Sequence, residues 1–194
     1  MKTIEMIKTR NDLPKLMALK REGKSGNERM IELGVASGNY LFSVADEFKE
    51  AIGVDKWNDH HNKEEMEKVK EKAVIFNRKN VNSQVSIINS SFSDAADQFD
   101  ECYFDFIYID GYAHGAQEKG TTFLEWWGKL KKGGVMAGHD YHKNWMLNMK
   151  YINLFCKAVN REIYVTQEKR MEEEKEKRIW KIWEGPYPSF YIFK

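Results

Sequence analysis

The sequence predicts an α/β domain with a doubly wound, mostly parallel sheet and helices on both faces. Short apolar runs that suit buried strands alternate with longer segments whose apolar residues recur at helical spacing. No proline lies between Pro14 and Pro186, so the middle of the chain is free to form uninterrupted helices and strands. The length of 194 residues fits a single domain over residues 1–194.

The predicted elements follow one another in a strand–helix order. Five short apolar runs predict strands at residues 29–36, 51–55, 85–89, 105–110 and 134–137. Helical spacing predicts helices at residues 39–48, 61–79, 116–130 and 146–159. Three β-rich runs lie near the C-terminal end, at residues 162–166, 179–183 and 189–193. We also expect an N-terminal helical extension at residues 1–27 and a charged, solvent-exposed insertion at residues 168–183.

Two adjacent tryptophans in the predicted helix 116–130 cannot both face the sheet. Trp127 shares a helical stripe with Phe123, Leu124 and Leu130, which predicts that Trp127 belongs to the core. Trp126 is then expected to be exposed or to cover a partner surface, which leaves homodimerisation open.

The composition excludes several classes of protein. Lys and Arg number 31 against 30 Asp and Glu, so the chain has no strong field for a nucleic-acid backbone. No apolar run is long enough for a membrane helix, and residues 1–10 lack the apolar region of a secretory signal. Cys102 and Cys156 lie in apolar stretches and are expected to be buried, reduced thiols. We therefore expect a cytoplasmic globular protein.

A glycine turn marks the junction of the first strand and its helix. Gly34 and Gly38 lie four residues apart, where the backbone must turn tightly. Ala36 takes the place of the middle glycine of the dinucleotide motif G-x-G-x-x-G, which argues against NAD. Asp55 ends the second strand, where a carboxylate is able to accept both hydroxyls of a ribose. Together these features predict an adenosine-containing ligand.

Polar side chains also follow the fourth and fifth predicted strands. Asp110 ends one strand, with His114 shortly after it, and His139 and Asp140 end the next. The carboxyl ends of parallel strands form the ligand-binding edge of a doubly wound sheet, so these groups are expected to meet there. Such convergence is not expected of a non-catalytic nucleotide-binding module, which is the main alternative to an enzyme.

Four motifs in sequence order give the chain a resemblance to a known family. They are E-x-G-x-x-x-G from Glu32, G-V-D-x-W from Gly53, F-I-Y-I-D-G-x-x-H from Phe106 and L-K-K-G-G-x-x-x-G-H-D-Y from Leu130. The sequence resembles class I S-adenosylmethionine-dependent methyltransferases over residues 28–194. It is most similar to small bacterial enzymes whose relatives methylate sugar hydroxyls. The resemblance implies a Rossmann-like, seven-stranded sheet in the order 3-2-1-4-5-7-6, with the seventh strand antiparallel.

The resemblance also implies roles for individual residues. Glu32, Gly34 and Gly38 would border the methionine part of S-adenosylmethionine, Asp55 would bind its ribose, and Asp110 would lie beside it. Ser91 and Phe92 would flank the adenine. Base-modifying relatives carry a Pro-Pro-aromatic motif where this chain has Asp110-Gly111-Tyr112, so a nucleic-acid acceptor is not expected. A small-molecule acceptor, a sugar or a glycan precursor, is expected instead.

The chemistry expected of the site is proton removal from an acceptor hydroxyl. His139 is the first candidate for the general base and His114 the second. Asp110 and Asp140 would orient an imidazole, bind the acceptor hydroxyls, or hold a divalent cation such as Mg²⁺ or Mn²⁺. Metal-using relatives have an Asp-Asp or Asp-Asn pair where this chain has His139-Asp140, and histidine is a poor ligand for Mg²⁺.

Overall fold

The structure is a computed structural model that describes residues 7–16, 28–58, 61–112, 115–167 and 187–194. Most of the predicted extension 1–27, the insertion 168–183 and the strand 179–183 lie outside these residues. Seven strands form one sheet in the order β3-β2-β1-β4-β5-β7-β6, as predicted. The strands are β1 Arg29–Leu33, β2 Glu50–Asp55, β3 Gln84–Asn89, β4 Phe104–Ile109, β5 Leu130–Gly138, β6 Tyr164–Val165 and β7 Phe190–Phe193.

The parallel pairing of the strands brings their carboxyl ends to one edge of the sheet. Strands β1 to β5 pair in parallel, whereas β7 runs antiparallel to both β5 and β6. Leu33 of β1 pairs with Ile109 of β4, and Ile109 pairs in turn with Gly138 of β5. The residues that follow these strands therefore emerge side by side, as the sequence predicts.

Helices cover both faces of the sheet and bury an apolar layer on each side. The helices are α1 Asn39–Val44, α2 Lys63–Lys79, α3 Phe92–Ala96, α4 Thr121–Lys129 and α5 Met146–Ala158. Alternate residues of β4 pack into the two apolar layers, because successive side chains of a strand point to opposite faces of the sheet. Phe106 and Tyr108 belong to one layer, and Ile107 and Ile109 belong to the other.

The predicted helix 116–130 is wrong at both ends. Residues Ala116–Lys119 form a turn with φ between 51 and 58°, in the left-handed region, and Gly120 follows at φ 90°. A right-handed helix cannot continue through such a segment, so α4 begins only at Thr121. At the other end β5 begins at Leu130, four residues before the predicted strand, and its pairing with β4 is irregular there.

The assignment of the two tryptophans is also wrong. Trp126 is fully buried, whereas Trp127 is half-buried and Leu124 is 58% exposed. The buried residues of α4 are Thr122, Phe123 and Trp126, and Leu130, which is also buried, is already the first residue of β5. The stripe predicted from the sequence places Leu124 and Trp127 inside. It therefore differs from the observed buried face of the helix by a rotation of about one residue. Trp126 is therefore not available to cover a partner, which removes the argument for a homodimer.

The two cysteines differ in their exposure to solvent. Cys156 is buried as expected, but Cys102 is exposed, because it lies in the turn before β4 with φ 55°. Among the described residues, no helix has both the length and the apolar character required to cross a membrane.

Candidate active site

A cavity of about 910 Å³ opens at the carboxyl edge of the sheet. Its volume lies within the range of small-molecule sites, which is about 300–1,000 Å³. Its wall contains five of the residues to which the sequence assigned a role in cofactor binding. These residues are Glu32, Gly34, Asp55, Phe92 and Asp110. Gly38 and Ser91 are not part of this wall.

The glycine turn is shaped mainly by contacts within the protein. Gly34 has φ 95°, and a Cβ atom there would lie 2.4 Å from the carbonyl oxygen of Asp110. Gly38 has φ 80°, and a Cβ atom there would meet the ring of Phe42 at 2.7 Å. Both positions thus need glycine because of the backbone conformation and close packing, independently of any ligand.

Asp55 lies at the end of β2 and fixes the loop that follows β1. Its Oδ2 accepts a hydrogen bond from the backbone N–H of Ala36 at 2.9 Å, and its Oδ1 accepts one from the N–H of Trp57 at 3.1 Å. An ionised carboxylate has about four acceptor positions, so the two oxygens retain capacity for two more donors. This arrangement fits the pair of hydroxyls of a ribose.

Glu32 supplies a buried carboxylate to the wall of the cavity. It is 2% exposed, and its Oε2 has no hydrogen-bond partner among the described residues. Burial, reinforced by the nearby charge of Asp110, raises the pKa of Glu32 well above its usual range. A cationic group in the cavity would relieve this cost, so Glu32 fits the ammonium group of an amino-acid moiety.

The two residues expected at the adenine have different environments. Phe92 is buried in the cavity wall, and its ring centre lies 4.7 Å from that of Tyr112. The part of the ring that lines the cavity offers an apolar contact to a flat base. Ser91 instead caps α3, because its hydroxyl accepts a hydrogen bond from the N–H of Asp94 at 3.0 Å.

Three of the predicted catalytic and metal-binding residues form a cluster at the ends of β4 and β5. His139 Nδ1 lies 2.9 Å from Oδ1 of Asp140 and 3.7 Å from Oδ1 of Asp110. Asp110 and Asp140 line the cavity, whereas the side chain of His139 is 14% exposed and does not. His114, the second candidate base, lies outside the described residues.

Burial and neighbouring charges together shift the pKa values of Asp110 and His139 in this cluster. Burial chiefly raises the pKa of Asp110, although His139 and Arg10 oppose the rise. Burial lowers the pKa of His139, but the carboxylates of Asp110 and Asp140 outweigh this effect and leave it above its ordinary value. The arrangement favours a positive charge between the two acids.

The same three residues fit a divalent cation. One donor atom from each of Asp110, His139 and Asp140 lies within 4.8 Å of the others. Two carboxylate oxygens and one imidazole nitrogen suit Mn²⁺ or another borderline ion better than Mg²⁺, which prefers oxygen ligands.

Sequence reasoning missed Arg10, which reaches the site from the N-terminal segment. Its guanidinium donates to Oδ2 of Asp110 at 3.3 Å and lies 5.3 Å from the ring centre of Tyr40. Leu13 and Leu16 anchor this segment in the core, since both are buried. A single arginine in a basic stretch carries no spacing or motif signal, so only the tertiary structure reveals its place.

The sheet order and the cavity at the carboxyl edge of the sheet define a Rossmann-like protein. A family model described as "Methyltransferase domain" matches residues 31–141, which is more than half of the chain. The chain therefore belongs to this methyltransferase family, as the resemblance in its motifs indicates. No curated protein sequence matches the chain significantly.

Solved structures show the same fold at low sequence identity. A candidate caffeoyl-CoA O-methyltransferase from Staphylococcus aureus is 15% identical, with a TM-score of 0.62, and the match covers 95% of this chain and 80% of that one. An rRNA methylase from Streptococcus thermophilus is 13% identical, with a TM-score of 0.58 and coverages of 94% and 93%. Precorrin-6y C5,15-methyltransferase from Geobacter metallireducens is 13% identical, with a TM-score of 0.57 and coverages of 100% and 97%. These methyltransferases are named for different acceptors, so the fold leaves the acceptor open.

Proposed function

We propose that the protein transfers a methyl group from S-adenosylmethionine to a hydroxyl of a small molecule, a sugar or a glycan precursor. The observation that carries this proposal is the cluster of Asp110, His139 and Asp140 beside the cavity. A hydroxyl is a weak nucleophile, and a cluster of two acids and an imidazole offers the means to orient it and to remove its proton.

Residues of β1, β2 and α3 form the end of the cavity that would hold the cofactor. Asp55 has acceptor capacity for the ribose hydroxyls, Glu32 has a buried carboxylate for the ammonium group, and Phe92 has a ring for the adenine. When bound, S-adenosylmethionine supplies a methyl group that its sulfonium already activates. The protein's main task is then to hold the acceptor oxygen in line with that methyl group.

The acceptor end consists of Asp110 and Asp140, which have carboxylate oxygens for neighbouring hydroxyls of a polyol. A divalent cation held by these acids and His139 would lower the pKa of a bound hydroxyl. The prediction that His139 is the general base requires a neutral imidazole with Nε2 free, since Nδ1 is engaged with Asp140. The raised pKa of His139 opposes the role of base, because a protonated imidazole cannot accept a proton. The same proton competes with a metal ion for the nitrogen, so a bound cation would have to displace it.

A transfer assay with methyl-deuterated S-adenosylmethionine tests this function. The protein is incubated with a panel of sugars, nucleotide sugars and phenols, with Mn²⁺ or with a chelator, and products are identified by mass spectrometry. We expect a deuterated methyl ether on a hydroxyl compound and its loss in Asp110→Asn. Methylation of a nitrogen or carbon acceptor would contradict the proposal while leaving the methyltransferase class intact.

A further inference from the structure

Two hydrogen bonds join the loop after β1 to the end of β2 and the loop that follows it. The N–H of Ala36 donates to Oδ2 of Asp55, and the indole Nε1–H of Trp57 donates to the carbonyl oxygen of Ala36 at 3.0 Å. Both backbone groups of Ala36 are thereby engaged, its N–H by Asp55 and its carbonyl by Trp57. The loop that faces the cavity is consequently tied directly to the ribose-binding carboxylate expected at Asp55.

The bonds hold two residues in an unfavourable backbone conformation. Ala36 and Trp57 both have φ 48°, in the left-handed region that residues other than glycine rarely adopt. A strained conformation persists only where surrounding contacts determine it. Trp57 supplies such contacts, because it is 5% exposed and packs in the same apolar layer as Val35 and Met66.

We propose that Trp57 is a positioning residue for the cofactor. Its indole holds Ala36 in the left-handed conformation, and this conformation aims the Ala36 N–H at Asp55 and fixes the carboxylate that binds the ribose. Trp57 does not line the cavity, so it acts through Ala36 and Asp55 and not by touching the ligand. The inference rests on the proposed function only in assuming that S-adenosylmethionine is the ligand.

The test compares two tryptophan variants that lose the same atoms. Trp57→Phe removes an indole N–H that donates to Ala36, whereas Trp126→Phe removes a buried indole N–H that has no partner among the described residues. Both variants lose the same volume from a buried site, so the loss of packing contributes similarly to their thermal stabilities without ligand. Trp57→Phe is expected to be the less stable of the two, because it also loses a hydrogen bond. The dissociation constant of S-adenosylhomocysteine, the demethylated product, is then measured by calorimetry.

We expect Trp57→Phe to weaken the binding of S-adenosylhomocysteine about 5- to 10-fold, as for the loss of one hydrogen bond, and Trp126→Phe to leave it within about 2-fold of wild type. Wild-type affinity in Trp57→Phe would overturn the proposal, as would equal losses in both variants, which would indicate a general effect of destabilisation. If the wild-type protein does not bind S-adenosylhomocysteine, the proposed function fails instead, and the two failures are thus distinguishable.

A measurement on the wild-type protein covers the case in which Trp57→Phe does not fold. The indole N–H signals are followed by nitrogen-15 NMR, with and without S-adenosylhomocysteine. The Trp57 indole proton is expected to exchange slowly with solvent, and more slowly still once the ligand orders the loop. A signal that neither shifts nor gains protection on ligand binding would overturn the proposal.

Discussion

His139 Nδ1 lies 2.9 Å from Oδ1 of Asp140, its neighbour in the chain. Asp140 has φ 60°, so the chain leaves β5 through a left-handed residue at the point where the imidazole and the carboxylate meet. Asp110 comes from the adjacent strand and completes the cluster from the other side. The contact therefore places a nitrogen donor between two acids at the rim of the cavity.

The first prediction concerns cation binding by this cluster. Asp140→Asn is expected to weaken Mn²⁺ binding about 10-fold or more, because it removes a charged ligand while preserving the shape of the side chain. Titration with Mn²⁺, followed by electron paramagnetic resonance in the absence of acceptor, measures the effect. Asp94→Asn is the matched control, since Asp94 is exposed and lies on α3, outside the cluster. Equal Mn²⁺ affinity in the two variants would show that the cluster does not hold the ion.

The second prediction concerns Glu32 and the pH dependence of stability. Because burial raises the pKa of Glu32, its folded state binds the proton more tightly than its unfolded state. Its contribution to stability is then fully present below the unfolded-state pKa and is lost as the pH rises toward the folded-state pKa. Glu32→Gln should stabilise the ligand-free protein at neutral pH by about 1–3 kcal/mol. The free energy of unfolding of this variant should also decrease less as the pH rises.

Urea unfolding at several pH values between 4 and about 8 measures the effect on each protein. The same substitution should weaken S-adenosylhomocysteine binding, because it removes the charge opposite the ammonium group. A variant that is less stable than wild type across the whole range would contradict the interpretation of Glu32 as an uncompensated buried charge.

The third prediction compares two glycines with positive φ. Gly34→Ala should cost several kcal/mol or prevent folding, because the new Cβ atom would lie 2.4 Å from the carbonyl oxygen of Asp110. Gly133→Ala should cost only about 1 kcal/mol, since its φ is 80° but nothing lies within 4 Å of the new atom. The difference between the two free energies of unfolding separates the cost of a steric clash from the cost of a positive φ. Similar losses in both variants would contradict the close approach of Gly34 to Asp110.

The fourth prediction concerns the face that α4 turns to the sheet. Phe123→Ala should destabilise the protein by about 3–5 kcal/mol, whereas Leu124→Ala should change stability by less than about 1 kcal/mol. Phe123 is fully buried and stacks on Phe155, but Leu124 is largely exposed. Denaturant unfolding of both variants measures the difference. A larger loss in Leu124→Ala would restore the helix orientation expected from the sequence.

The sequence predicts the framework of this site better than its details. Parallel strands must end at one edge, so the positions of Asp55, Asp110 and Asp140 follow from the strand–helix alternation alone. The orientation of α4 does not follow, because Phe123, Leu124, Trp126 and Trp127 are all apolar and two stripes are compatible with them.

Contacts that depend on tertiary structure leave no sequence signal. Ala36 and Trp57 have left-handed backbones although neither is a glycine, and the left-handed turn Ala116–Lys119 contains no glycine either. Arg10 meets Asp110 across 100 residues of chain. Such features are fixed by packing and hydrogen bonds between distant segments, which local propensity does not encode.

Calorimetric titration with S-adenosylhomocysteine measures whether the cavity binds S-adenosylmethionine through Asp55. The wild-type protein is predicted to bind S-adenosylhomocysteine and not NAD, with or without Mn²⁺. Asp55→Ala is predicted to weaken the binding by about 1–3 kcal/mol, as expected when hydrogen bonds to a charged group are lost. Binding of NAD with no heat from S-adenosylhomocysteine, or unchanged affinity in Asp55→Ala, would contradict the account.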